Sequence, residues 1–247
     1  MAKYAHDTIV PFKESDQSKK QQVAAMFDKI AFRYDFLNRF LSAGIDVSWR
    51  KKAIKQLQSI QPKFILDVAT GTGDVAILTQ QILHPAKITG IDISAGMLEI
   101  GRKKIQKLGL KNEIELLEGD SETLTFPDNS FDAITVAFGV RNFQNLEKGL
   151  AEMLRVLKPG GKLVVLEFSR PKQFAFKALY NVYMNTIAPG FGKLIAKNKD
   201  AYQYLNDSVQ RFPEGQQFID ILNDVGYCST YSKILTFGIC SIYCGSK

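Results

Sequence analysis

Histidine is almost missing from this chain: only His6 and His84 occur among 247 residues. That scarcity argues against a histidine-rich metal centre and against a Ser-His-Asp hydrolase. Cysteine is nearly as rare. Cys228, Cys240 and Cys244 are an odd number bunched near the C-terminus. Their spacing matches no zinc motif, so they are expected as reduced core or strand residues of a cytosolic protein, with no metal bound. No apolar run approaches the roughly 18 residues of a membrane span. The opening MAKYAHDTIVPF has no apolar h-region and no Arg/Ser-rich amphipathic pattern, which argues against secretory or mitochondrial targeting.

What remains is an ordinary globular composition, 45% apolar and 23% charged, long enough to bury a core without a staple. Lysine and arginine exceed the acids by 7, in short clusters at Arg50-Lys51-Lys52, Arg102-Lys103-Lys104 and Lys193, Lys197, Lys199. These read first as solvated helix faces and second as a peripheral contact with an anionic membrane surface. Nucleic acid ranks last, and no nucleic-acid partner is expected.

Residues 1–17 lack periodicity and read as a mobile or lid-like lead. Ser18 and Gln21 have capping-box spacing. Val23, Met26, Phe27, Ile30, Tyr34, Leu37 and Leu41 then recur at helical steps until Gly44, and a second helix is expected over about 48–57. Residues 1–60 thus form an N-terminal helical lid. From 61 onward strands alternate with helices: strands over 64–69, 87–91, 114–117, 131–138 and 162–168, with helices between. Leu98, Ile105 and Leu108 mark the buried side of one helix, and Pro159-Gly160-Gly161 the stop of another. This alternation implies an α/β fold with a parallel sheet covered on both faces. A helical insertion at about 172–210, carrying Phe174, Phe176, Tyr180, Tyr183, Tyr202 and Tyr204, precedes a last helix and a terminal antiparallel strand pair.

The stretch Asp67-Val-Ala-Thr-Gly71-Thr72-Gly73-Asp74-Val-Ala76 carries the most chemistry. Glycines after a buried strand let backbone approach a ligand and expose the amides that open the next helix. Gly71-x-Gly73-x-x-Ala76 also satisfies the loose dinucleotide fingerprint. Asp74 weighs against that reading, because a carboxylate in the first helical turn would repel a pyrophosphate. S-adenosylmethionine has no phosphate and offers an ammonium and a sulfonium, which suit Asp67 and Asp74. Asp92 suits the ribose of either ligand, and Asp120-Ser121 is placed to address an adenine amino group. A cofactor site for S-adenosylmethionine is therefore expected at Asp67, Gly71, Thr72, Gly73, Asp74, Asp92, Asp120 and Ser121.

The order of elements resembles the class I S-adenosylmethionine-dependent methyltransferases, which implies a Rossmann-like seven-stranded sheet, mostly parallel with the last strand antiparallel. More narrowly, the chain resembles the ubiquinone/menaquinone biosynthesis C-methyltransferases (UbiE/MenG type). Tyr34-Asp35-Phe-Leu-Asn38 through Ser42-Ala-Gly44-Ile-Asp46-Val-Ser-Trp49 is similar to that family's N-terminal signature. Phe138-Gly139-Val-Arg141-Asn142 matches its central motif, and Arg155-Val-Leu-Lys158-Pro159-Gly160-Gly161 through Leu166-Glu167-Phe168-Ser169 its second signature. Leu37 stands where the family usually has Met, a volume-conserving exchange. Asp46 stands where it usually has His and leaves no imidazole there.

The resemblance implies methylation of a ring carbon of a reduced polyprenyl quinone, demethylmenaquinol first and the benzoquinol of ubiquinone synthesis as the alternative. Such a phenol titrates near 10, and a fixed cation beside its oxygen lowers that value. Arg141 is the expected cation and Asn142 the expected orienting group for the quinol or a relay water; Arg155 and Glu167 are read as structural. The aromatic insertion and the N-terminal helix would receive the isoprenoid tail. A cytoplasmic enzyme is expected, peripheral at the inner face of the membrane, with a homodimer open. An NAD-dependent oxidoreductase and a non-catalytic assembly protein on the same fold are the rival readings.

Overall fold

In the computed structural model, residues 4–171 and 199–247 are described. Phe174, Phe176, Tyr180, Tyr183, Lys193 and Lys197 lie outside them, with most of the expected insertion.

Helix α1 (Lys19–Leu41) starts with the expected capping box between Ser18 and Gln21. Gly44, at φ 77, breaks it from α2 (Ile45–Ile54), which runs into a 3-10 segment at Lys55–Ile60. There follow β1 (Phe64–Val68), α3 (Asp74–Leu83), β2 (Lys87–Asp92), α4 (Ala95–Lys107), β3 (Ile114–Glu118) and β4 (Phe131–Ala137). A 3-10 turn (Val140–Asn142), α5 (Leu146–Val156) and β5 (Leu157–Phe168) lead to α6 (Lys199–Arg211) and α7 (Gln216–Val225). The chain closes with β6 (Cys228–Leu235) and β7 (Cys240–Ser246).

The seven strands lie in the order β3-β2-β1-β4-β5-β7-β6. β1 to β5 are parallel, and β7 runs antiparallel between β5 and β6, as the terminal strand pair required. Alternating strand residues supply two cores. Leu66, Val68, Ile134, Val136, Leu163 and Val165 face α5 and α7. Ile65, Ile88, Ala133, Val164 and Leu166 face α3, α4 and Trp49. Burial on both faces explains why these strands read as continuous apolar runs.

Three expectations are corrected. β5 begins at Leu157, before Pro159-Gly160-Gly161, because a residue preceding proline is driven out of the helical region and proline lacks the N–H to continue it. Leu108 is 52% exposed, since it caps α4 just past its last packed turn. The lead also docks: the Tyr4 hydroxyl donates to Glu147, and the His6 ring sits between Tyr4 and Phe212.

α1 lies across α4, where Asp28 accepts from Ser94 Oγ at 2.6 Å and Gly96 N at 2.9 Å and so completes that helix's N-terminal cap. Asp28→Ala should lower stability by about 1–2 kcal/mol, read as a melting-temperature drop, with Asp28→Asn recovering most of it. An unchanged melt in the alanine variant would show that α1 is held without this contact.

Candidate active site

Parallel strands whose order reverses between β1 and β4 leave a crevice at their carboxyl ends. A cleft of about 680 Å³, its solvent-filled mouth included, occupies it. Its floor is Val68, Ala69 and Gly71 after β1, Asp92 after β2, Gly119 to Glu122 after β3, and Phe138, Gly139 and Asn142 after β4. Its roof is Lys20, Val23, Phe27 and Tyr34 of α1.

Both central strands end on left-handed residues, Ala69 at φ 54 and Phe138 at φ 59, which costs of order 1–3 kcal/mol each and turns the chain sharply out of the sheet. The two turns touch: a Cβ on Gly139 would stand 2.6 Å from the Ala69 Cβ, so only glycine fits. At Gly71 (φ 56) an added Cβ would meet nothing within 4 Å, leaving bare backbone open to the cleft.

The expected cofactor residues divide into two groups. Gly71, Asp92, Asp120 and Ser121 line the cleft. Asp92 accepts from Gly71 N at 2.8 Å and Ser94 N at 2.9 Å, while burial pushes its carboxyl up to about 6. Asp120 pairs with Lys20, reaching down from α1.

Asp67, Thr72, Gly73 and Asp74 lie behind the loop. Asp67 accepts from the Thr70 and Thr135 hydroxyls, both at 2.6 Å, and burial lifts it to about 6. Thr72 donates to Asp35 at 2.6 Å. Asp74 is the hub of an ion-pair cluster, with Lys104 at 2.6 Å on one oxygen and Arg39 at 2.6 Å and Arg50 at 2.8 Å on the other. Burial alone would raise its carboxyl, but these three cations hold it below the ordinary value. With both oxygens engaged, Asp74 fastens α1, α2 and α4 to the loop. Its charge is balanced, so repulsion of a pyrophosphate no longer separates the two cofactor readings.

The turn after β4 is equally crowded. Arg141, which was expected beside the substrate, is 5% exposed and donates through Nη1 to Phe138 O at 2.6 Å and to Glu167 at 2.8 Å. Burial pushes the Glu167 carboxyl up and Arg141 opposes it. Of this turn, Phe138, Gly139 and Asn142 line the cleft and Arg141 does not. Lys19, buried, donates to His6 O at 2.9 Å and Arg141 O at 3.5 Å, tying the lead to the turn. Lys20 and Tyr34 line the cleft without having been singled out as site residues, and Tyr34 sits inside the N-terminal signature, which was the available signal. Glu167, read as structural, is buried and braces Arg141.

A sheet of this order with a crevice of this make-up defines the class I S-adenosylmethionine-dependent methyltransferase fold. A methyltransferase from Thermotoga maritima shares it, with a TM-score of 0.62 at 21% identity over 90% of this chain and 99% of that one. The model of the ubiE/COQ5 methyltransferase family matches residues 15–247, and the chain belongs to that family. It is 47% identical to a demethylmenaquinone methyltransferase of Bacteroides fragilis over 99% of both chains. It is 46% identical to a ubiquinone/menaquinone biosynthesis C-methyltransferase of Geotalea daltonii over 93% of this chain and 97% of that one. The protein is an S-adenosylmethionine-dependent methyltransferase.

The residues in the crevice fit that cofactor: bare backbone at Gly71 beside the Asp92 carboxylate suits a ribose diol. Because the fold raises Asp92 to about 6, it holds that proton more tightly than the unfolded chain does, so this group costs stability as pH rises from about 4 to 6. Hydroxyl donors favour the ionised form. The S-adenosylhomocysteine Kd should therefore weaken about tenfold from pH 7 to pH 5, the ratio of ionised fractions, and calorimetry on Asp92→Asn should show a flat profile. Asp74→Asn should instead lower the melting temperature, by an amount equivalent to about 3 kcal/mol, and leave that Kd within about threefold. A large loss of affinity with an unchanged melt would return Asp74 to the cofactor.

Proposed function

We propose that the protein methylates a ring carbon of demethylmenaquinol to give menaquinol, with Gly71, Asp92, Asp120 and Ser121 holding the cofactor and Asn142 facing the quinol. The observation that carries this reading is the full-length likeness to the Bacteroides fragilis demethylmenaquinone methyltransferase. The name of the Geotalea daltonii relative spans both quinones, and benzoquinol methylation is the second reading. S-adenosylmethionine, when bound, supplies a methyl group activated by a positively charged sulfur.

The chain's own task is to make an aromatic carbon nucleophilic. The quinol hydroxyl must give up its proton, which pushes charge onto the ring carbon, and that carbon later sheds its hydrogen as a proton. Arg141 stands one layer behind the cleft with its charge balanced by Glu167, so it favours the phenolate less than a bare cation would. Asn142 can donate directly to the quinol oxygen, and a lid that excludes water strengthens that bond. Val23, Met26, Phe27, Ile9, Phe12 and Tyr204 form an apolar cluster over the crevice suited to the start of an isoprenoid tail.

Membrane contact fits the outer side of α1, where Phe32 is 89% and Phe36 57% exposed beside the exposed Lys29 and Arg33. Among the described residues no helix is long and apolar enough to cross a membrane. A site at the cytoplasmic membrane surface is consistent with both features.

The test is methyl transfer from labelled S-adenosylmethionine to short-tailed demethylmenaquinol, reduced and oxidised in parallel, with the matched benzoquinol alongside. Label on carbon in the reduced naphthoquinol sample alone is the expected result. Turnover of the benzoquinol only would sink the substrate choice.

A further inference from the structure

We propose that Tyr204, from α6, is a positioning residue for methyl transfer: its hydroxyl fixes which edge of the Asn142 amide meets the substrate. The inference rests on the proposed role of Asn142 at the quinol oxygen. Phe138 O lies 3.4 Å from Nδ2 of Asn142 and already accepts from Arg141 Nη1 at 2.6 Å. A carbonyl has no proton to give, so the amide edge facing it must be the NH2. Oδ1 is thereby turned to Tyr204, whose hydroxyl lies 3.0 Å away and donates to it. Tyr204 is 3% exposed, so water does not compete for that bond.

One N–H of Asn142 is then spent on Phe138, and the second is the donor left for an occupant of the cleft that Asn142 lines. A donor stabilises a quinol oxygen as it becomes a phenolate, whereas an amide oxygen in its place would repel it. Without the Tyr204 hydroxyl, the 3.4 Å contact to Phe138 O alone opposes turning the amide over, and Oδ1 loses its donor. The benefit of the bond is therefore realised in the transition state more than in binding.

Full-length Tyr204→Phe, Asn142→Ala and the double variant test this, with steady-state kinetics on demethylmenaquinol and calorimetry of S-adenosylhomocysteine. Tyr204→Phe should lower kcat about tenfold, leave KM within about twofold and leave cofactor affinity unchanged. In the Asn142→Ala background the same change should cost less than about twofold, since the group it orients is gone. The side-chain NH2 resonances of Asn142, identified by their loss in Asn142→Ala, should shift in Tyr204→Phe without any turnover. Equal kcat losses in both backgrounds, or an NH2 pair that does not move, overturns the proposal. If the wild type methylates neither quinol while the NH2 pair does move, the substrate reading fails and the positioning role stands.

Discussion

β1 and β4 lie side by side, yet their outgoing chains leave the sheet on different paths, and the gap between them has to be roofed by something other than the sheet. α1 does this, and beyond its apolar contacts and the Asp28 cap its C-terminal half is attached by charge. Asp35, Asp46 and Asp74 face Arg39, Arg50 and Lys104, three anions against three cations, at the end of the helix remote from Lys20. Partly buried ion pairs of this kind gain little net stability, because desolvation offsets the attraction. They do fix position, since a misplaced α1 would leave charges facing no partner. The roof is thus placed accurately without being held strongly, which suits a cleft that must admit a bulky quinol.

The same economy governs the catalytic turn. A lone guanidinium beside the substrate would favour the phenolate most, but Arg141 is nearly buried, and a buried charge costs stability unless it is paired, as it is with Glu167. Pairing lets the arginine brace Phe138 in its left-handed conformation, through the Phe138 carbonyl. What reaches the cleft is the neutral amide of Asn142. On the function proposed above, activation of the quinol falls to a hydrogen bond from Asn142 more than to a nearby full charge.

Much of this was legible in the sequence, and the rest was not, for physical reasons. Periodicity and caps located most elements because each is decided within a few residues, as with Ser18 and Gln21 at the start of α1 and Gly44 at its end. Position was legible at Gly71, Asp92, Asp120 and Ser121, which line the cleft, because a residue at a parallel strand's carboxyl end can scarcely avoid the crevice. Asp74 and Arg141 were misjudged in orientation. Their partners lie 24 to 35 residues away for Asp74 and 26 for Arg141, and sequence spacing says nothing about which way a side chain turns once such partners exist. β5 starts ahead of the expected 162 because the helix ends at Val156, before the Pro159-Gly160-Gly161 stop is reached, and the chain is already extended there.

Asp46 gives the clearest case of a local departure with a structural meaning. Where the family usually carries an imidazole, this chain has a carboxylate that lies outside the cleft lining, accepts from Ser42 at 2.7 Å and pairs with both Arg39 and Arg50. A neutral imidazole there would leave two anions against three cations around the glycine loop. A protonated one would be worse still. With aspartate the cluster closes neutral, so the exchange bears on how α1 is latched and takes no group away from the reacting atoms. Leu37, the other departure, is buried in the same helix at nearly unchanged volume. Both differences fall on how α1 and α2 are attached, away from the cleft lining, while the strand-end turns keep the residues of the family's motifs.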